Sequence, residues 1–220
     1  MRMVLMSLLL ALGMASLAPA IAGPLEDARA AYLAGDYAEA VQILRPIAEQ
    51  GNALAQATLG DMYYLGDGYY EILLEAPNSF YEALRLQYYY KGKGVQQNYA
   101  EAARWYRLAA EQGDARTQVR LGFMYKFGYG VLQNYAEAVK WYRLAAEQGD
   151  ADAQSSLGFR YQNGEGVPQD NVLAHMWFNL AASKGVAGAA QLRDDVASRM
   201  TRNQIAEAQK LAWEWAEAHP

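Results

Sequence analysis

The chain repeats itself with a period of 36 residues, and this period constrains its fold more than any other feature. Residues 115–150 and 151–186 align over their whole length, with a Leu-Gly pair, a tyrosine and a tryptophan at matching places. The segment Asn98–Asp114 nearly duplicates Asn134–Asp150. Units of this size bury their apolar faces only by stacking on one another, so the period predicts a repeat array.

Each unit is predicted to contain two helices. In the first helix, Leu121 and Tyr125 are four residues apart and share one face, and Gly122 allows a neighbouring helix to approach closely. Gly128 is expected to end this helix, because glycine adopts the left-handed conformation of a helix C-terminus. Asn134 is the predicted N-cap of the second helix.

The second helices are also expected to supply core residues and a solvated face. The tryptophans Trp105, Trp141 and Trp177 recur with the period and are predicted to lie in the core between stacked units. Arg143 and Glu147 stand four residues apart, which predicts a surface ion pair.

The pattern LGxxYxxGxGV…NYAEAxxWYRLAAEQGD resembles the Sel1-like repeat, a relative of the tetratricopeptide repeat. This resemblance implies an all-α fold, a right-handed α-solenoid of stacked antiparallel helix pairs. It also implies a protein-interaction role, because relatives bind peptides or partner proteins on the concave face lined by the first helices.

The repeat pattern divides the chain into successive segments. They are a signal peptide at 1–22, a tetratricopeptide-like helix pair at 23–52 turning at Ala34-Gly35-Asp36, a Sel1-like repeat at 53–114 with an insertion at 69–94, Sel1-like repeats at 115–150 and 151–186, and capping helices at 187–220. In the last segment, Thr201 and Gln204 have the spacing of a capping box.

The insertion at 69–94 interrupts one unit, because joining residues 53–68 to 95–114 restores a repeat in register. Two structures are possible for the insertion. It is either a long irregular excursion between two helices, or it is itself helical, with residues 79–90 in the place of a first helix. Its tyrosines, among them Tyr81 and Tyr88, are either a recognition surface or the buried stripe of those helices.

The first 22 residues have the features of an export signal. Arg2 precedes a mostly apolar stretch, and small residues at Ala20 and Ala22 suit a cleavage site. The apolar stretch is shorter than the roughly 20 residues that span a membrane. We therefore expect cleavage, a periplasmic or secreted protein, and no stable membrane insertion afterwards.

Charge and composition exclude several kinds of partner and bond. The formal net charge is −5, which argues against nucleic acid as a partner. The chain has no cysteine, so it forms no disulfides. The mature protein is expected to hold together by packing alone.

The sequence offers little for catalysis. The two histidines, His175 and His219, lack the i, i+4 partner of a helical zinc site. Some cysteine-rich exported relatives have been linked to β-lactam binding, but this chain lacks their cysteines and has no Ser-x-x-Lys motif. We expect no enzyme activity, no catalytic residue, no metal and no cofactor.

The repeat phase instead predicts partner-binding residues along the open face of the first helices. They are Asp61 and Tyr64 in the first unit, Arg116, Phe123 and Lys126 in the next, and Asp152, Phe159 and Gln162 in the last, with Tyr81 and Tyr88 in the insertion. An apolar stripe with a charged border suits a peptide or helix ligand, although the next repeat would bury the phenylalanines if it packed over them.

The predicted function is that of an exported adaptor that binds an unidentified peptide or partner protein on its concave face. Two alternatives remain: a hydrolase or β-lactam-binding enzyme of the envelope, and a secreted host-facing surface-binding protein. The sequence leaves self-association open.

Overall fold

The computed structural model describes residues 23–66 and 95–219, which form ten helices and no strand within those ranges. The predicted all-α fold is confirmed. The helices are α1 (Pro24–Leu33), α2 (Tyr37–Glu49), α3 (Ala53–Leu65), α4 (Tyr99–Glu111), α5 (Ala115–Phe127), α6 (Tyr135–Glu147), α7 (Ala151–Asn163), α8 (Asn171–Ser183), α9 (Ala189–Ala197) and α10 (Arg202–Ala218). The predicted signal segment 1–22 and the insertion 69–94, with Tyr81 and Tyr88, lie outside the described residues.

The chain divides into two compact units, residues 1–109 and residues 110–220. Within the first, α1 and α2 join at the predicted turn, where Gly35 has a φ of +77° and the Asp36 side chain caps α2. Leu44 and Leu59 are buried in the core of this unit, together with Trp105 from α4.

Several helices begin or end where the sequence predicts. The Asn134 side chain accepts a hydrogen bond from the Glu137 N–H at 3.1 Å, which satisfies a free donor at the start of α6. Thr201 and Gln204 form the predicted capping box of α10. Gly128 ends α5 in the left-handed conformation, with a φ of +74°.

In the second unit, α5 packs on α6 and α7 packs on α8 through a glycine of the first helix. Gly122 lies against the ring of Tyr142, and Gly158 against the ring of Phe178. A Cβ on these glycines would lie 2.8 Å and 2.6 Å from the nearest ring carbons, closer than such atoms pack. The predicted close approach at Gly122 is confirmed.

The same contact joins α3 and α4 in the first unit, where Gly60 lies against the ring of Tyr106. The Asn98 N–H donates to the Tyr63 carbonyl at 2.8 Å, and the corresponding bond in the second unit has the same length. The helices α3 and α4 therefore contact each other as the two helices of one repeat do, although residues 67–94 separate them in the sequence.

Buried glutamines tie successive repeats together, a feature that the sequence analysis missed. Gln56, Gln118 and Gln154 occupy the fourth position of α3, α5 and α7, and each is almost fully buried. The Gln118 amide donates to the Ala110 carbonyl at 3.0 Å, and the other two bond the equivalent carbonyls at 2.9 Å and 3.4 Å. Each bond is a second one to a carbonyl near the end of the preceding helix, which also accepts from a backbone N–H.

The prediction for the three tryptophans is correct at two positions and wrong at the third. Trp105 and Trp177 are buried, and Trp177 is covered edge-to-face by Trp215 of α10 at 5.9 Å. Trp141 is only partly buried. In all three repeats, the residue after the tryptophan lies against the glycine of the first helix.

The predicted ion pair of Arg143 with Glu147 is wrong, because no such pair forms within the described residues. The Arg143 guanidinium instead donates to the Tyr161 hydroxyl at 3.0 Å, and Arg45 bonds the equivalent Tyr63 hydroxyl at 2.6 Å. This arginine therefore links the second helix of one repeat to the first helix of the next.

Candidate functional site

Three aromatic side chains form an exposed cluster on the second unit, at the end of α5 and in the loop after it. Phe123 and Phe127 are four residues apart, so they share one helix face, and their ring centroids are 4.5 Å apart. Tyr129 stacks on Phe127 at 5.7 Å. We call Phe123, Phe127 and Tyr129 the aromatic cluster.

The loop geometry brings the third ring back to the helix. Gly128 adopts the left-handed conformation, and the Tyr129 N–H donates to the Met124 carbonyl at 3.0 Å, so the chain folds over the last turn of α5. The three rings remain 37%, 44% and 37% exposed. An exposed set of apolar rings in mutual contact is typical of an interaction surface.

Lys126 borders the aromatic cluster. Its ammonium lies 4.5 Å from the centroid of the Phe127 ring, which is the geometry of a cation–π contact. Burial lowers the pKa of Lys126, the positive charge of Arg160 lowers it further, and the carboxylate of Glu165 acts in the opposite direction. The ammonium is therefore partly desolvated and faces a second cation.

Arg160 lies beneath Lys126 at a core position of α7. The equivalent residues of α3 and α5 are Met62 and Met124, which are buried, and Arg160 is only 4% exposed. Its guanidinium forms an ion pair with Glu165 and lies 5.5 Å above the ring of Tyr135. Its Nε has no hydrogen-bond acceptor among the described residues. A charged group thus replaces an apolar one in this repeat.

Tyr142 lies below the same surface. Burial raises the pKa of Tyr142 to about 12, while the charge of Arg160 and a hydrogen bond with Ser156 oppose the increase. The Tyr142 hydroxyl is therefore neutral near pH 7, and Lys126, Arg160 and Glu165 supply the charge of this region.

The predicted partner-binding residues fall into different environments within each unit. In the second unit, Phe123 belongs to the aromatic cluster and Lys126 borders it. Arg116 is half-buried, Asp152 is exposed, and the half-buried Gln162 accepts a hydrogen bond at its carbonyl from Gln169.

Phe159 is not an open position, unlike its counterpart Phe123. Its ring packs edge-to-face on Phe178 at 5.2 Å, next to Leu192 and Val196 of α9. The closing helices of the chain cover this phenylalanine, which was one of the outcomes that the sequence left open.

In the first unit, Asp61 and Tyr64 take part in internal contacts. The Tyr106 hydroxyl donates to the Asp61 carboxylate at 2.6 Å. The ring of Tyr64 lies 5.2 Å from that of Tyr99 and 6.3 Å from that of Tyr106. The partner-binding roles of Asp61 and Tyr64 stay predictions.

The sequence analysis missed Phe127, Tyr129, Arg160 and Glu165. The spacing of Phe127 four residues after Phe123 was a usable signal for the cluster. Arg160 was also detectable, because alignment of the repeats places it where the other units have methionine. Its contact with Glu165 depends on loop geometry and had no sequence signal.

The described residues contain no group of histidine, cysteine or acidic side chains that could hold a metal ion. His175 is buried on α8, and its Nδ1 has no hydrogen-bond partner in the part of the chain that the structure describes. Burial lowers the pKa of His175, Arg193 lowers it further, and Asp194 opposes this. Such an imidazole is a packed core group and is poorly placed to meet a substrate.

In the part of the chain that the structure describes, no helix combines the length and the apolar character needed to cross a membrane.

Comparison with known proteins identifies the repeats. The family description "Sel1 repeat" matches residues 83–114, 115–150 and 151–186. The first match begins in the segment that the structure does not describe. It includes α4, which in the structure contacts α3. By sequence, no curated protein matches the chain.

Two solved structures are similar to this chain. A Sel1 repeat protein from Oxalobacter formigenes is 35% identical, with a TM-score of 0.53, and the match covers 69% of this chain and 95% of that one. The antigen c5321, a protective antigen present in uropathogenic Escherichia coli strains and displaying an SLR fold, is 29% identical with a TM-score of 0.55. That match covers 81% of this chain but only 40% of the antigen. The chain belongs to the Sel1 repeat family, and its fold is the α-helical solenoid of that family.

Proposed function

We propose that this protein is an exported interaction module that binds a peptide or a partner protein through the aromatic cluster. Sel1 repeat proteins generally mediate protein–protein interactions, and their fold is typically a non-enzymatic scaffold. The observation that carries the proposal is the mutual contact of three exposed rings at the end of α5 and in the loop after it.

The aromatic cluster differs from the other exposed apolar residues of the second unit. Leu132, Leu144 and Trp213 are also exposed, but isolated apolar residues are ordinary on protein surfaces. In the cluster, each ring contacts the other two, which creates a continuous apolar area. Aromatic residues supply large contact area at low entropic cost, which suits recognition of an extended peptide.

A direct test uses a randomised peptide library displayed on phage, selected against the mature chain (residues 23–220). The double variant Phe123→Ser/Phe127→Ser is expected to lose most of the enrichment, because it removes two of the three rings. Leu144→Ser is the matched control, since Leu144 and Phe127 have the same exposed fraction of 44%.

Circular dichroism and thermal melting of each variant establish that it remains folded. If the double variant selects the same peptides as the native chain, the cluster is not the binding surface. If Leu144→Ser abolishes the selection as well, the effect is not specific to the cluster.

Export remains part of the proposal and is supported by the charged, apolar and small-residue segments within residues 1–22. Fractionation of producing cells into cytoplasm, periplasm and medium tests it. Recovery of the uncleaved chain from the cytoplasm would contradict it. Accumulation in the medium would favour the host-facing alternative, which the likeness to a protective antigen also supports.

A further inference from the structure

We propose that the aromatic cluster and Lys126 together recognise an acidic side chain of the bound peptide. Lys126 contacts the aspartate or glutamate carboxylate, and the apolar neighbours of that acidic residue pack on Phe123, Phe127 and Tyr129. The inference rests on the proposed function and adds to it the chemistry of the ligand.

The first argument is the unpaired charge of Lys126. Its ammonium is half-buried beside the Phe127 ring, yet it forms no ion pair with any residue of this chain that the structure describes. Fully buried charges are normally paired, and partial desolvation without a compensating charge also costs free energy. A carboxylate of the ligand would compensate this charge.

The second argument is the local excess of positive charge. Among the described residues, Lys126 and Arg160 face a single carboxylate, that of Glu165, and Glu165 is already paired with Arg160. Arg160 is too buried for direct contact with a ligand, so it acts as a positioning residue that adds positive potential below Lys126. The repeat fold does not require this cation, because Met62 and Met124 fill the equivalent positions.

The same charges favour a carboxylate over a more highly charged ligand. Glu165 lies beside the site and would repel a dianionic phosphate more strongly than a single carboxylate. The net charge of −5 also opposes a polyanion such as nucleic acid. One half-buried cation beside three exposed rings matches one acidic residue flanked by apolar residues.

The chain supplies its own conservative variants for the test. Lys126→Gln introduces the residue that stands at the same repeat position in α7, Gln162, and Arg160→Met introduces the residue found in α3 and α5. Both replacements already occur in repeats of this chain, so both variants are expected to fold.

The phage library is selected in parallel against the native chain and Lys126→Gln. The native chain is expected to enrich peptides in which aspartate or glutamate adjoins apolar residues, and Lys126→Gln to enrich apolar residues alone. A selected peptide is then synthesised with its acidic residue and with the isosteric amide. The amide should bind the native chain about tenfold more weakly, as expected for loss of one charge-assisted contact. The amide peptide and the acidic peptide should bind Lys126→Gln with equal affinity.

A second readout separates a charge effect from a structural one. In NMR titrations of the Lys126 ε-methylene group, the acidic peptide should raise the pKa of Lys126, and the amide peptide should not. Arg160→Met should raise the same pKa in the free protein, because it removes a neighbouring positive charge.

The outcomes distinguish the two proposals. Peptides that need Phe123 and Phe127 but show no acidic preference would overturn the role of Lys126 and leave the proposed function intact. The role of Lys126 would also be overturned, with the proposed function intact, if the difference in affinity between the acidic and the amide peptide were the same for the native chain and for Lys126→Gln. Failure of the native chain to select any peptide, or selection that ignores the cluster, would overturn both.

Discussion

Gly122 and Tyr142 are in such close contact that a methyl group on the glycine would lie 2.8 Å from the Tyr142 Cε1 atom. Gly158 and Gly60 make the same contact with Phe178 and Tyr106. The glycine sets the distance between the two helices of a repeat, because its lack of a side chain lets the aromatic ring lie against the backbone.

We therefore expect Gly122→Ala to destabilise the protein, although alanine is the better helix former by about 1 kcal/mol. Overpacking typically costs 1–3 kcal/mol, so the free energy of unfolding should fall by about 1–2 kcal/mol. Urea unfolding measures it. In the double variant Gly122→Ala/Tyr142→Leu, the two effects should not add, because the smaller side chain makes room for the methyl group. A more stable Gly122→Ala variant would contradict the packing role of the glycine.

Gln118→Leu should lower the free energy of unfolding by about 1 kcal/mol, since it removes a buried hydrogen bond to the Ala110 carbonyl, which keeps the Gly113 N–H as its donor. It also removes the acceptor of the Gln148 amide. The control is Gln133→Leu, because the Gln133 amide also donates to a backbone carbonyl, that of Lys126 at 2.9 Å, but in an exposed setting. Water can replace that second donor. Equal losses of unfolding free energy in the two variants would mean that the buried hydrogen bond contributes no more to stability than the exposed one.

Arg160→Met is expected to raise the free energy of unfolding by about 1–3 kcal/mol, since replacing a buried ion pair by a well-packed apolar group is often stabilising. Glu165→Gln should lower it, because the buried guanidinium would lose its carboxylate. Thermal melting of the native chain, Arg160→Met and Glu165→Gln gives the order of their stabilities. A loss of stability in Arg160→Met would show that the ion pair is a structural requirement of this repeat.

The stability of the protein should decrease in mild acid because of His175. Its pKa is lowered in the folded state, so the unfolded state takes up the proton first as the pH falls below about 6.5. The loss is at most about 1.4 kcal/mol per pH unit and ends below the folded-state pKa of His175. The control is His175→Val, since Val139 stands at the same position one repeat earlier. Urea unfolding at pH 7.5 and at pH 5 should show a smaller difference for this variant than for the native chain.

Much of the fold follows from local sequence signals. The caps at Asn134 and Thr201, the helix end at Gly128 and the close approach at Gly122 depend on a few neighbouring residues, and all four predictions are confirmed. The repeat period adds the order of the helices, because each unit contacts mainly its neighbours in the chain.

The site was less predictable, because identical repeat positions have different surroundings. Phe123 and Phe159 occupy the same place in α5 and α7, yet Phe123 is exposed and Phe159 is packed against Phe178. Two features accompany the difference: the ring on the glycine is Tyr142 in one repeat and Phe178 in the next, and α9, beyond the last matched repeat, adds Leu192 and Val196 to the cluster of Phe159. A periodic pattern carries no information about a non-periodic neighbour.

Deletion of residues 69–94 is expected to leave a folded protein, since it restores a repeat in register. Helical circular dichroism should be retained, and the free energy of unfolding should stay equal or rise, because a shorter connection costs less entropy to close. The control deletion, residues 129–133, removes the short loop between α5 and α6 and should abolish cooperative unfolding. Loss of the cooperative transition in the first deletion would place a structural element within 69–94.

The contact between α3 and α4 has a consequence for how the protein could be divided. The Gln97 amide donates to the Tyr64 carbonyl at 2.9 Å, the Asn98 N–H donates to the Tyr63 carbonyl at 2.8 Å, and the Tyr106 ring lies on Gly60. Each of these contacts joins a residue before position 67 to a residue after position 94. None of them depends on a covalent link through residues 67–94. We therefore expect that two separate polypeptides, one ending at Gly66 and one beginning at Val95, would reassemble in solution as complementary fragments, so that a split reporter could be built at this point of the solenoid.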